Sequence, residues 1–462
     1  MTNAGVNGLI RPYPPERTTL DLIDAEVARG GQQTAVVYGI EALTYAQLDE
    51  KANEFAATLL REGARPGHLL PVLVTDGLEL PLTILAAMKA GIPFVPFDPR
   101  WPAERINDLL GMLGTDLLVV GPRTPSEATA DGRAIRVDAG RLLGAPDRPA
   151  VRRPDRDDVF YGFFTSGSTG APKCTLNHHL GLLNRFTTMT RMFGSGHTSL
   201  QNSRSVFDSS LWQLLWPLTS GGRVVMPVRE ELLDLEQTVR QIGQHGVTIT
   251  EIVPSIFTVL AELVQADPEL AKCASTLRRV LLGGEAINPD AVRRFHQVLP
   301  HVVFTNAYGP TEASIGSVFH TFAEPPANGV EIPIGQPIDN TCAVVVDDRL
   351  QPVPIGQTGE LLIGGVCVGF GYLGDAERTT RAFLDNPFAH LVGDRSIARA
   401  IWFSSARTGC STSSDGWTIR SSCGACESSR PRSRTRCCAC RPFRTSRCSS
   451  RAPWIGLSLL PQ

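Results

Sequence analysis

Lysine is almost missing from this chain of 462 residues: only Lys51, Lys89, Lys173 and Lys272 occur, and arginine supplies the other cations. With a formal net charge of −2 there is no broad positive field to gather a polyanion, which argues against specific nucleic-acid binding. Apolar runs are short, none near the roughly 20 residues needed to span a bilayer, so no membrane partner is expected. The opening Met-Thr-Asn-Ala-Gly lacks the basic and apolar regions of a signal peptide, so a cytoplasmic location is expected. Cysteine is also sparse through the first 400 residues, where Cys174, Cys273, Cys342 and Cys367 read as reduced packing thiols. The other seven crowd between positions 410 and 448, which makes the chain compositionally two objects.

The length allows a large core and more than one subdomain. Helical spacing over 46–62, 79–90, 178–193, 233–245, 255–265 and 288–298 alternates with strand-like stretches at 68–74, 92–97, 222–227, 247–253, 277–282 and 302–305. That alternation predicts parallel or mixed sheets covered by helices, an α/β fold. Residues 122–157, rich in Pro, Arg and Asp, read as a surface connection. From about 335 the pattern turns to short β pieces, at 343–347 and 360–364. Residues 404–451 show neither period and hold few aliphatic residues, so the tail 401–462 is expected to be disordered, behind a core of 1–400.

Chemistry concentrates at Phe-Phe-Thr-Ser-Gly-Ser-Thr-Gly-Ala-Pro-Lys, residues 163–173. Glycines 167 and 170 allow tight bends that aim successive N–H groups into one concavity. Hydroxyls of Thr165, Ser166, Ser168 and Thr169 and the ammonium of Lys173 suit a polyphosphate. An apolar run, 159–164, precedes the loop and reads as a buried strand. The pattern differs from the GxxxxGK[ST] loop because no Ser or Thr follows the lysine. Asn306-Ala307-Tyr308-Gly309-Pro310-Thr311-Glu312 follows an apolar strand, where ligands settle in open α/β sheets. Tyr308 offers a stacking face and Glu312 a carboxylate for magnesium. Gly283-Gly284-Glu285-Ala286 ends another strand. Asp208, between Phe207 and Trp212, either caps a following helix or binds a substrate ammonium.

In this order, and with Leu43–Leu48 and Met88–Asp98, these segments resemble the amino-acid adenylation domains of nonribosomal peptide synthetases, within the adenylate-forming (AMP-binding) superfamily. The resemblance covers about residues 20–390. It implies two α/β sheet subdomains plus a small β subdomain, and joining of an amino acid to ATP, with Mg2+, as an aminoacyl-adenylate. The acyl group would then pass to the phosphopantetheine thiol of a carrier protein. The resemblance further implies that Thr165, Ser166, Gly167, Ser168, Thr169 and Gly170 hold phosphates beside Lys173. Thr311 and Glu312 would serve the α-phosphate and magnesium, and Gly284, Glu285, Ala286, Asn306 and Tyr308 the adenine. Asp208 would pair with the substrate ammonium, the feature that separates amino-acid activators from acyl- or aryl-CoA ligases. Ser209, Trp212, Glu251, Leu281, Gly283, Ala307, Ile315 and Gly316 would line the side-chain pocket, where the Glu251 carboxylate implies a polar or cationic substrate side chain. His179 matches a histidine that follows the loop, a position equally suited to a neutral structural histidine.

The sequence departs from the family in three places. Cys174 replaces a glycine after the loop lysine, a strained choice if the position needs a positive φ. Cys410 stands where the family's Thr-Gly-Asp carries its ribose-binding aspartate. No lysine follows Lys272, whereas the family's C-terminal α+β lid bears a catalytic one. An absent lid and impaired adenylation are therefore expected, as from an out-of-frame reading of GC-rich codons near 390–410; a non-catalytic nucleotide-binding remnant is the alternative. Cys423, Cys426, Cys437 and Cys440 have zinc-like spacing, but the residues they enclose offer no apolar core.

Overall fold

The structure, a computed structural model, describes residues 5–12, 18–74, 76–125, 132–145, 147–165, 172–228, 234–389, 395–407 and 417–421. Most of the phosphate-type loop (Ser166, Gly167, Ser168, Thr169, Gly170) lies outside them, as do Cys410 and the four zinc-spaced cysteines.

Three sheets organise the chain. The largest has nine strands, ordered Gln336–Pro337, Val318–Phe322, Val303–Tyr308, Arg279–Gly283, Ile249–Ile252, Thr198–Leu200, Arg223–Met226, Thr34–Tyr38 and Glu41–Thr44. Its central strands are parallel, as the strand–helix alternation predicts. Strand Thr198–Leu200 pairs with the strand after it on one side and the strand after that on the other. Successive connections therefore wind away from it in opposite senses, which opens a crevice at the strands' carboxyl ends.

The second sheet has seven strands, ordered Gly371–Tyr372, Lys173–His178, Val159–Thr165, Phe94–Pro96, Leu70–Val72, Leu117–Val120 and Arg133–Arg136. The apolar run forms Val159–Thr165, with Phe160, Tyr161 and Phe163 buried. It pairs antiparallel with Lys173–His178, and Thr165 is the register partner of Lys173. The loop thus joins two hairpin strands before the helix His179–Phe193 begins. Arg133–Arg136 corrects the reading of 122–157 as connection only: it is an edge strand with buried Ile135.

Local chemistry accounts for the signatures near the N-terminus. Thr44 accepts from the Gln47 N–H while the Gln47 side chain accepts from the Thr44 N–H, a reciprocal cap on helix Tyr45–Arg61. Helix Glu79–Ala90 stops at Gly91, whose φ of 67° closes the last turn.

The third sheet is antiparallel. Thr341–Val346 and Thr358–Gly365 pair with each other, with Gly5–Asn7 outside the first and Arg395–Arg407 beyond the second. Arg395–Arg407 also pairs with Phe383–Asp385 and with Trp417–Ser421. Residues 404–407 and 417–421 are therefore strands within the segment expected to be disordered. Among the described residues, no helix is long and apolar enough to cross a membrane.

Candidate active site

Strands Ile249–Ile252, Arg279–Gly283 and Val303–Tyr308 run parallel in matched register, Glu251 beside Leu281 beside Thr305 and Gly283 beside Ala307. This aligns Glu251, Leu281, Gly283, Asn306, Ala307 and Tyr308 along one carboxyl edge. A Cβ on Gly283 would stand 2.8 Å from the Ala307 carbonyl oxygen and 2.9 Å from Glu251 Oε1, so only glycine fits there. Gly284, Glu285 and Ala286 are exposed just beyond. The Glu285 carboxylate accepts from the Ser255 N–H at 3.0 Å, at the start of helix Pro254–Ala266. Asn306 donates to the Pro333 carbonyl at 2.9 Å.

The chain then turns sharply. A Cβ on Gly309 would lie 2.5 Å from Gly316 Cα and 2.7 Å from the Ile315 carbonyl oxygen, so two backbone segments touch at this glycine. Thr311–Ala313 forms a single 3₁₀ turn, followed by Ser314 and Ile315 at φ 55° and 77°. A β-branched residue at positive φ is strained, and such strain collects at functional sites. Asn177 donates to the Thr311 carbonyl at 3.0 Å, tying this turn to the second sheet.

Lys173 reaches the same place. Its ammonium donates to Glu312 Oε1 at 2.8 Å and to the Tyr372 hydroxyl at 2.9 Å, and Tyr372 donates to Glu312 Oε1 at 2.8 Å. Both charged side chains are largely buried. The triangle draws on the loop hairpin, the Thr311 turn and the edge strand Gly371–Tyr372. Tyr372 was missed as a site residue, although it sits in the glycine-rich run at 359–373, because that run alone signals only β turns.

Asp208 precedes helix Ser209–Leu215, yet its side chain makes no capping hydrogen bond. Its Oδ2 is buried without a partner among the described residues. Burial raises its pKa to about 6, against Thr311, Arg185 and the Ser209 N–H, which favour the ionised form, while Glu312 adds to the rise. Ser209 donates to the Ser203 hydroxyl at 3.2 Å. Trp212, fully buried, donates its indole N–H to Glu251 Oε2, and burial raises the Glu251 pKa as well.

Arg185, on helix His179–Phe193, is a second residue the sequence reading missed. It is 1% exposed, donates to the Gly316 carbonyl, and lies over the Phe319 ring at 5.0 Å. Nothing in a local pattern distinguishes it from a surface arginine on an amphipathic helix.

Two sequence questions resolve here. His179 stacks on Phe160 at 4.3 Å and burial lowers its pKa to about 3, so it is a neutral core histidine. The adjacent His178 caps the helix, accepting from the Gly181 N–H at 3.0 Å. Cys174 lies in a paired strand and is not among the residues with positive φ, so it carries no backbone strain.

The model of the AMP-binding enzyme family matches residues 23–373. Tyrocidine synthase 3 of Brevibacillus parabrevis is 34% identical over 369 residues, 79% of this chain and 6% of that protein. Phosphinothricin tripeptide synthetase PhsB of Streptomyces viridochromogenes is 36% identical over 358 residues, 75% of this chain and 29% of that protein. Among solved structures, the nonribosomal peptide synthetase FmoA3 superposes with a TM-score of 0.79 at 26% identity, over 89% of this chain and 43% of that one. Its AMPPNP-bound form gives 0.77, again at 26% identity, over 86% of this chain and 42% of that one. The chain thus spans 6% and 29% of the length of the two synthetases and 43% of the FmoA3 chain, and the matched segment contains every described site residue above. It belongs to the AMP-binding enzyme family.

Proposed function

We propose that this chain binds and activates an amino acid with ATP for nonribosomal peptide synthesis, with adenylation slowed because no lysine follows Lys272. The carboxylate oxygen of the amino acid bonds to the α-phosphorus, the bond to the β-phosphate bridge breaks, and pyrophosphate leaves. The thiol of a carrier-protein phosphopantetheine then attacks the acyl carbon, a thioester forms, the acyl–phosphate bond breaks and AMP leaves, in a cytoplasmic reaction.

The observation that carries this reading is Asp208. A carboxylate with one buried, unpartnered oxygen is costly unless a cation arrives, and Asp208 Oδ2 is such an oxygen although Ser209 and Thr311 bond the carboxylate. An α-ammonium supplies that cation and fixes the substrate carboxylate towards Thr311 and Glu312. The Lys173–Glu312–Tyr372 triangle holds one cation and one carboxylate in compensating contact. That donor set fits a magnesium nucleotide: Mg2+ is typically held by one or two carboxylates plus phosphates, and Glu312 would supply one such carboxylate. When bound, the metal neutralises phosphate charge. Lys173 offers a phosphate oxygen its ammonium, and Tyr372 keeps both side chains in place. Gly284, Ala286, Asn306 and Tyr308 form the adenine side; Glu285 contributes through its backbone, since its carboxylate holds the Ser255 N–H.

Binding of nonhydrolysable aminoacyl sulfamoyl-adenosines, measured by calorimetry across neutral, cationic, acidic and aromatic side chains, tests the proposal. At least one should bind about a hundredfold or more tighter than adenosine monosulfamate. If none does, the chain is a nucleotide-binding remnant. If an aryl or fatty acyl sulfamoyl-adenosine binds best, it is an acyl- or aryl-CoA ligase.

A further inference from the structure

Glu251 alone points to a cationic or polar substrate side chain, but the charge count around it is different. Arg185 is fully buried in the same region: its guanidinium lies over the Phe319 ring at 5.0 Å, Phe319 is the register partner of Ala307, and Ala307 lies beside Gly283, where Glu251 Oε1 stands. Burial opposes its charge, and the carboxylates of Glu251 and then Asp208 favour it. Its Nη1 bonds the carbonyl of Gly316, and a Cβ on Gly316 would collide with its guanidinium, so the side chain borders the pocket wall directly. Its Nε is buried without a hydrogen-bond partner among the described residues. On the other side, Glu251 Oε2 is fixed by Trp212, while Oε1 faces the bare backbone at Gly283.

Resting on the amino-acid reading of the site, we propose that Arg185 sets charge selectivity: it compensates Glu251, so the pocket takes a neutral, hydrogen-bonding side chain (a hydroxyl or carboxamide) and rejects a cationic one. With the substrate ammonium on Asp208, the charges of Arg185, Glu251 and Asp208 and the ligand's ammonium sum to zero. A lysine-type side chain would add an uncompensated cation beside a buried guanidinium, and juxtaposed like charges repel. A hydroxyl or carboxamide instead donates to Glu251 Oε1 without changing the charge.

The same analogue panel tests this by side chain. Seryl or asparaginyl sulfamoyl-adenosine should bind the wild-type chain more than about tenfold tighter than the lysyl or ornithyl analogue. Arg185→Met should raise lysyl affinity and reverse that order. Glu251→Gln keeps an acceptor for Trp212 and frees the guanidinium, so aspartyl and glutamyl analogues should gain about tenfold or more. Should Arg185→Met fail to fold, Glu251→Gln carries the comparison. Wild-type preference for a cationic analogue, or variants that leave the charge order unchanged, would overturn the proposal. Failure of every analogue to exceed adenosine monosulfamate would instead remove the amino-acid reading beneath it.

Discussion

Asp98, buried just after a strand, and Asp208, part-buried just before a helix, are sent in opposite directions by their neighbours. Burial would raise Asp98, but Arg100 donates to it at 2.9 and 3.0 Å and Arg204 adds another contact, holding its pKa down at about 2. It stays ionised wherever Asp208 titrates. Asp208, raised to about 6, takes up a proton on folding. Its contribution to stability is therefore present below the ordinary carboxylate value and lost as pH rises through about 6. Ligand binding has the opposite sign, because an ammonium pairs only with the carboxylate. Affinity for an aminoacyl analogue should fall about tenfold per pH unit below pH ~6. Calorimetry between about pH 4.5 and 8 reads this directly, and a flat profile would mean that Asp208 does not meet the ammonium.

At the scale of elements, the turn after Val303–Tyr308 places most of the site, and it depends on close backbone approach at Gly309. Gly309→Ala should destabilise the chain by about 1–3 kcal/mol in denaturant unfolding, since the obstructing atoms are backbone. Gly111→Ala is the opposite case. It lies inside helix Ala103–Leu113, where an added methyl meets nothing within 4 Å, and should stabilise by about 0.5–1 kcal/mol. Equal effects from the two would refute the steric reading. Elements with strong periodicity were legible in the sequence: Glu79–Ala90 and Arg279–Gly283 emerge within two residues of expectation. Thr198–Leu200 was not, because three residues show no period, although this strand sets the crevice. Arg133–Arg136 was hidden by arginines at both ends of a half-buried edge strand.

In the whole molecule, the site is assembled from segments spread over 199 residues, from Lys173 to Tyr372. Sequence motifs named the residue types, and Lys173, Thr311 and Glu312 do converge. What the motifs could not show is pairing: that Glu285 caps a helix, that Tyr372 completes a triangle, or that Arg185 bonds the Gly316 carbonyl. Those relations depend on which sheet edges meet, and no local pattern encodes that. The central claim is that Asp208 selects an α-amino acid. Its most direct test compares an aminoacyl sulfamoyl-adenosine with the same compound lacking the α-amino group, on wild type and Asp208→Asn. Wild type should prefer the amino compound by about thirtyfold or more, and Asp208→Asn should abolish the preference. Equal binding of the two compounds by wild type, or a preference that survives Asp208→Asn, would contradict it.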